Sequence, residues 1–243
     1  MSKTVFLFSG QGSQYVGMGK ELCDAYPSIK LMYEQASDIL GFDLADKSWN
    51  STEQELAQTV ISQPAIMMTS LAALEAMKQN GIGFSAVAGH SLGEYAAMVA
   101  SGVLSFEDGF RVIKARASAM QKAAENQHGV MCAVMGRDAA EIEEVCASVN
   151  GYVVPVNYNS AAQTVIAGEP EAVETAMAKF TELGAKVIKL NVAAAFHSKL
   201  MQPAADEFEA ALKAMDITFN KPQVQFFSNL YPLFDIIVPI PIY

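Results

Sequence analysis

The sequence has few cysteines, little positive charge and no long apolar run. Only 3 of its 243 residues are cysteines, and they lack the spacing of metal ligands. They indicate buried thiols in a reducing, cytoplasmic environment and predict no metal site. Lysine and arginine number 16 against 26 acidic residues, and the net charge of -10 argues against general binding to nucleic acid or to an anionic membrane. No uninterrupted apolar run approaches the ~20 residues of a membrane span.

The stretch Ser85–Glu94 predicts a nucleophile elbow. An apolar run of strand character leads into Gly-His-Ser-Leu-Gly, and a helix-like segment at 92–100 follows at once. Such a turn strains the serine backbone, so Gly89 and Gly93 are expected to be residues at which a Cβ would collide. A chance match is the alternative, but the flanking strand and helix favour Ser91 as a nucleophile beside a helix N-terminus.

A serine nucleophile needs a base within hydrogen-bond reach, and the sequence offers only 3 histidines. His90 adjoins the serine at a turn where neighbours point in different directions, so it is expected to shape the pocket. His128 lies in a polar junction typical of exposed surface. His197 follows a strand at a return between domains and is therefore predicted to be the base. No acidic residue between positions 91 and 197 stands in a convincing loop after a strand, which favours a Ser–His dyad.

The order of elements predicts an α/β fold with an insertion. Residues 128–195 show strand, helix, strand, strand, helix and strand, the order of a ferredoxin-like βαββαβ unit. Residues 1–127 and 196–243 are predicted to form the main α/β domain. Gln63–Pro64 is expected to start a mostly apolar helix over 65–80, and residues 158–162 are expected to connect the two middle strands of the insertion.

Several motifs resemble malonyl-CoA:acyl carrier protein transacylases and the related acyltransferase domains of polyketide synthases. The resemblance runs in order from Val5 to about Asn229. It implies an α/β-hydrolase-like parallel-sheet domain with an inserted ferredoxin-like subdomain. The motifs are Gly10–Gln14, Gly89–Glu94, Arg116 with Met120–Gln121, Asn157–Ser160, and Phe196–His197 with Leu200–Asp206.

The resemblance implies a role for each residue of the reaction centre. Ser91 would attack the thioester of malonyl-CoA, and His197 would accept its proton and return it to the departing thiol. Backbone N–H groups of Gln11 and Leu92 would form the oxyanion hole. Arg116 would hold the free malonyl carboxylate through two parallel hydrogen bonds.

The resemblance also implies what surrounds this centre. Phe196 would leave little room for an α-methyl branch, and His90 and Asn159 are assigned to the substrate-binding site. Malonyl would pass to the phosphopantetheine thiol of an acyl carrier protein, in fatty-acid or polyketide synthesis, with no cofactor. Lys189 and Lys199 are candidates for docking the acidic carrier protein, and the enzyme is expected to be a monomer.

The C-terminal end departs from the family pattern. Family members continue past residue 243 with a segment that orients the catalytic histidine, and residues 230–243 instead carry three prolines in an apolar run. A truncated chain is therefore expected, with an impaired enzyme or a fragile fold. The alternatives are a serine esterase or thioesterase on the same elbow, and a non-catalytic module that binds carrier proteins.

Overall fold

The computed structural model describes residues 4–126, 128–190, 192 and 194–229. Within these ranges the chain forms two compact units, the first of residues 4–118 and 211–229 and the second of residues 119–210. In chain order the elements are β1 (Val5–Phe8), α1 (Lys20–Ala25), α2 (Pro27–Leu40), α3 (Leu44–Trp49), α4 (Glu53–Leu56), α5 (Thr59–Gln79), β2 (Ala86–Gly89), α6 (Gly93–Ser101), α7 (Phe106–Asn126), β3 (Val130–Met135), α8 (Ala139–Ala147), β4 (Val153–Ser160), β5 (Gln163–Gly168), α9 (Pro170–Glu182), β6 (Lys186–Lys189), a 3₁₀ turn (Lys199–Met201), α10 (Gln202–Ala214) and β7 (Gln225–Phe227).

The first unit is built on a three-stranded parallel sheet in the order β1-β2-β7. Phe8 at the end of β1 lies opposite Gly89 at the end of β2, so both strands finish at the same edge. Loops at the carboxyl edge of a parallel sheet are where α/β proteins place their ligands. The elbow follows β2 at this edge, and the Gly-Gln-Gly loop follows β1.

Helix α5 is the central helix of the first unit. It is 21 residues long and apolar enough, by length and composition, to cross a membrane, but 67% of its most apolar window is buried inside the protein. Met67 and Met68 on this helix are fully buried, and each such side chain contributes about 1.5–3 kcal/mol by leaving water. Its apolar character is therefore explained by the core of the first unit.

The prediction that this helix begins at Gln63–Pro64 was wrong, because it begins at Thr59 and carries the proline inside it. Proline removes one backbone hydrogen bond and ordinarily disrupts the turn before it. Here Ile61 and Ser62 in that turn are themselves buried. Packing of the turn therefore outweighs the local cost of the proline.

The second unit contains a four-stranded antiparallel sheet in the order β4-β5-β3-β6, with α8 and α9 supplied by the crossovers. This order and the βαββαβ sequence of elements confirm the predicted ferredoxin-like unit. The domain boundaries at 128 and 195 stay a prediction. The core of this sheet and its two helices consists of Cys132, Val134, Ile142, Cys146, Val153, Ile166, Ala172, Val173, Ala176, Phe180 and Ala185.

The predicted connector at 158–162 was partly wrong. Strand β4 continues through Ser160, and only Ala161 and Ala162 form the turn to β5. An edge strand exposes one side to water, so polar residues typical of a loop fit there, as does Pro155. The register shifts twice along this pair of strands, which is another property of edges.

The three cysteines are free thiols in the structure. Cys132 and Cys146 are buried as predicted, whereas Cys23 is only partly buried. Burial raises the pKa of Cys146 to about 11 and also raises the pKa of the other two thiols. The predicted irregular tail at 230–243 lies outside the residues that the structure describes.

Candidate active site

The elbow is a tight junction between β2 and α6. Ser91 has a φ of 51°, a left-handed conformation that costs a non-glycine residue about 1–3 kcal/mol. A Cβ on Gly89 would lie 2.0 Å from the carbonyl carbon of Gly93, and a Cβ on Gly93 would lie 2.2 Å from the backbone oxygen of Phe8. Both positions therefore exclude side chains, as the motif predicts.

Two backbone N–H groups of the first unit, those of Leu92 and Gln11, were predicted to form the oxyanion hole. Within the described ranges, neither Leu92 nor Gln11 gives its N–H to a protein acceptor, whereas the N–H of Ser91 is engaged. Gln11 belongs to the loop after β1, and Leu92 is the N-cap of α6. The two donors predicted for the oxyanion hole therefore occur in one compact unit with the serine.

His90 packs against the loop after β1 rather than standing apart from the elbow. A Cβ on Gly10 would lie 2.6 Å from Nδ1 of His90, so the backbone of that loop approaches the imidazole closely. The backbone N–H of His90 also donates to the oxygen of Phe8 at 2.9 Å. These contacts fit the predicted role of a residue that shapes the pocket.

Arg116 is a buried cation in contact with Ser91. It lies on α7, only 4% exposed, and its Nη2 donates to Oγ of Ser91 at 3.3 Å. Its Nη1 donates to Oε1 of Gln63 at 2.7 Å, and its guanidinium carbon lies 5.2 Å from the ring centre of Tyr95. Its Nε is buried without a hydrogen-bond partner in the described part of the chain. Because arginine carries five N–H donors, this side chain can still donate hydrogen bonds to a bound carboxylate.

Gln63 is a site residue that sequence reasoning missed. Its side chain is fully buried, donates to Oε1 of Gln11 at 3.3 Å and accepts from Arg116. The signal was a glutamine in an otherwise apolar stretch, since a buried amide is costly without partners. It joins the cation to the side chain of Gln11 in the loop after β1.

Glu94 and Asn229 were also missed. Glu94, in the first turn of α6, is 6% exposed, and its Oε1 accepts from the backbone N–H of Asn229 at 3.0 Å. Burial raises the pKa of Glu94, while hydrogen bonds from Ser228 and Asn229 and the charge of Arg116 act in the opposite direction. The sequence signal for Glu94 was a carboxylate among the apolar residues of a predicted helix.

His197 lies in the second unit, two residues before the 3₁₀ turn. It has a φ of 60°, so it adopts the same left-handed conformation as the serine. Phe196 before it is 6% exposed, and the hydroxyl of Ser198 after it donates to the oxygen of Ala195 at 2.7 Å. These neighbours fix the backbone at the histidine. The pairing of His197 with Ser91 in the other unit stays a prediction.

Asn159 also lies in the second unit, on the edge strand β4. It is exposed, and its Nδ2 donates to Oε1 of Gln163 at 3.0 Å across the hairpin. Its predicted contact with substrate stays a prediction. Across the residues with described positions, no group of three or more His, Cys, Asp or Glu could hold a metal ion.

The match to known proteins is extensive in sequence. A family model described as an acyl transferase domain matches residues 5–232. The chain belongs to the acyltransferase family. It is 42% identical over 221 residues to the malonyl CoA-acyl carrier protein transacylase of Bacillus subtilis strain 168, across 89% of this chain and 70% of that protein. It is 41% identical over 234 residues to the protein of the same name from Escherichia coli K12, across 95% and 75%.

Solved acyltransferase structures share the fold. The malonyl CoA-acyl carrier protein transacylase of Coxiella burnetii superposes with a TM-score of 0.90 at 36% identity, covering 95% of this chain and 74% of that one. A malonyl-transacylase solved in complex with its type II polyketide synthase acyl-carrier protein has a TM-score of 0.88 at 39% identity, covering 94% and 74%. These matches confirm the predicted fold class and family.

Proposed function

We propose that this acyltransferase moves a malonyl group from malonyl-CoA to the phosphopantetheine thiol of an acyl carrier protein. The observation that carries the proposal is the buried guanidinium of Arg116 in contact with Oγ of Ser91. The relatives named malonyl CoA-acyl carrier protein transacylase, and the relative solved with its carrier protein, support it.

The position of the cation matches the length of a malonyl group. In malonyl-CoA the free carboxylate carbon lies about 2.5 Å from the thioester carbonyl carbon, by ordinary bond lengths and angles. When Oγ of Ser91 attacks the thioester carbon, the free carboxylate of the malonyl group is therefore within reach of a guanidinium that is 3.3 Å from that oxygen. An acetyl group would leave this buried cation without an anion, which disfavours acetyl-CoA.

The reaction proceeds in two balanced half-reactions. Oγ of Ser91 attacks the thioester carbon, its proton passes to His197, and coenzyme A leaves as the thiol after taking that proton. The carrier-protein thiol then gives its proton to His197 and attacks the malonyl-serine ester, and His197 passes that proton to Oγ of Ser91 as the ester bond breaks. The N–H groups of Gln11 and Leu92 stabilise the oxyanion of both tetrahedral intermediates, and loss of one such donor costs about 3 kcal/mol.

The remaining assignments concern the pocket and the partner. Phe196, His90 and Asn159 contact the acyl and pantetheine parts of the substrate, and neither half-reaction needs a cofactor. Lys199 is a better docking candidate for an acidic carrier protein than Lys189. Its Nζ lies 4.1 Å from the ring centre of Tyr152, whereas Nζ of Lys189 is 3.4 Å from a carboxylate oxygen of Glu174. We also propose that the enzyme is monomeric and cytoplasmic.

The test is the mass of the intact protein after incubation with malonyl-CoA. Wild type should gain one malonyl group, Ser91→Ala should gain none, and adding holo carrier protein should discharge the adduct. Arg116→Ala separates this function from that of a simple esterase, because an esterase has no use for a buried cation. Absence of an adduct on wild type, or an adduct on Ser91→Ala, would contradict the proposal.

A further inference from the structure

The side chain of Asn229 bridges Gly89 and Ser91 across His90 in the elbow. Its Oδ1 accepts from the backbone N–H of Ser91 at 2.9 Å, and its Nδ2 donates to the backbone oxygen of Gly89 at 2.6 Å. An amide is the side chain that offers an acceptor and a donor from one planar group. The carboxamide therefore closes a bridge across the residues that the turn bends most sharply.

Asn229 is in turn held by the helix that leaves the elbow. Its backbone N–H donates to Oε1 of Glu94 at 3.0 Å, and Glu94 lies in the first turn of α6. The carboxylate is nearly fully buried and also receives a hydrogen bond from the side chain of Ser228. A buried carboxylate needs such donors, so the segment after β7 and the elbow helix fix each other.

We infer that Asn229 and Glu94 are positioning residues for the nucleophile, acting on the backbone of Ser91 rather than on the substrate. The inference rests on the proposed acyl transfer at that serine. A left-handed serine persists only where its surroundings hold it, and this bridge holds it from a segment more than a hundred positions away in sequence. The bridge also engages the N–H of Ser91, which leaves the N–H of Leu92 as the oxyanion donor at this bend.

Asn229→Ala removes both bonds of the carboxamide. We expect the rate of malonyl-Ser91 formation at saturating malonyl-CoA to fall about 10- to 100-fold, because a misplaced nucleophile reacts more slowly. The KM for malonyl-CoA should stay within about twofold, because the guanidinium that holds the carboxylate is untouched. Asn50→Ala is the matched control, since Asn50 is an exposed asparagine of the same unit with one side-chain hydrogen bond, at 2.9 Å.

Conservative variants keep the inference testable if the alanine variant folds poorly. Asn229→Asp retains an acceptor for Ser91 and loses the donor to Gly89, so its rate should lie between those of wild type and Asn229→Ala. Glu94→Gln retains an oxygen that accepts from Asn229 and should lose less activity than Glu94→Ala. A general loss of stability would not produce this ranking together with an unchanged KM.

Two readouts are independent of malonyl chemistry. Hydrogen exchange of the amide of Ser91 should be about fivefold to tenfold faster in Asn229→Ala, because its acceptor is gone. Reaction of Ser91 with phenylmethylsulfonyl fluoride should slow in the same order as malonylation. If wild type takes no malonyl group but these two effects appear, the proposed function fails and the positioning role stands.

The inference is overturned by either of two results. One is a folded Asn229→Ala that forms malonyl-Ser91 within twofold of wild type and shows unchanged exchange at Ser91. The other is a loss of activity that appears entirely as a higher KM, since that would place Asn229 in substrate binding.

Discussion

Replacing Arg116 with lysine should collapse the preference for malonyl over acetyl thioesters. Arg116 is 4% exposed and uses one of its five N–H donors on Ser91 and one on Gln63, which leaves three for a carboxylate. Lysine keeps the charge but cannot form the parallel pair, and its ammonium loses its proton more readily when buried. A hydrogen bond to a charged group contributes about 1.5–3 kcal/mol. A loss of 2–3 kcal/mol corresponds to a ~30- to 150-fold fall in kcat/KM for malonyl-CoA.

The assay compares kcat/KM for malonyl-CoA and acetyl-CoA with pantetheine as the acceptor thiol. Arg111→Lys is the matched control on the same helix, because Arg111 is 37% exposed and its ion pair with Asp108 contributes little to stability. That variant should stay within twofold of wild type for both thioesters. The reasoning is refuted if folded Arg116→Lys keeps the wild-type malonyl-to-acetyl ratio, or if both substrates lose activity equally.

Three further predictions concern stability, each measured by urea unfolding. Gly93→Ala should lower the free energy of unfolding by about 1–3 kcal/mol or more, because the new Cβ would collide with backbone atoms. Gly83→Ala, with open space around it, should change this free energy by no more than about 0.5 kcal/mol. Equal effects of the two substitutions would contradict the steric explanation. Burial raises the pKa of Glu94 above 4.5, so its contribution to stability is present below that pH and lost as pH rises through its folded pKa. Glu94→Gln should therefore gain stability relative to wild type as pH rises from 4.5 through the folded pKa of Glu94, by at most ~1.4 kcal/mol per pH unit, and then level off. A difference that stays constant with pH would argue against it. Asp138→Ala removes a capping box on α8 and should lower the free energy of unfolding by about 1 kcal/mol. Glu144→Ala, at an exposed position of the same helix, should have no effect. Equal values for the two variants would show that the capping box does not stabilise the helix.

Local sequence was sufficient to predict the elbow. Gly89, Ser91 and Gly93 lie within one turn, and the strand and helix on either side are visible in the same stretch. The βαββαβ unit was predictable for a similar reason, since each of its elements carries its own hydrophobic pattern. What these features share is that neighbours in sequence determine them.

The supporting residues of the site could not be found in this way. Asn229 bonds to Ser91 across 138 positions, and Gln63 bonds to Arg116 across 53. Gln63 stands out only as an amide in an apolar stretch, and neither residue has a motif or a spacing that names its distant partner. The start of α5 was missed for a related reason, since burial against the rest of the unit decides it rather than the proline.

The crowding around Gly93 limits how this enzyme can escape inhibition. A side chain at that position would collide with the backbone of Phe8. No substitution of Phe8 would remove that collision, because every residue has the same backbone atoms. A covalent inhibitor that reacts with Ser91 would thus act on a residue whose supporting glycine is closed to mutation. Resistance would have to arise among the outlying side chains, so compounds that avoid them should keep their potency longest.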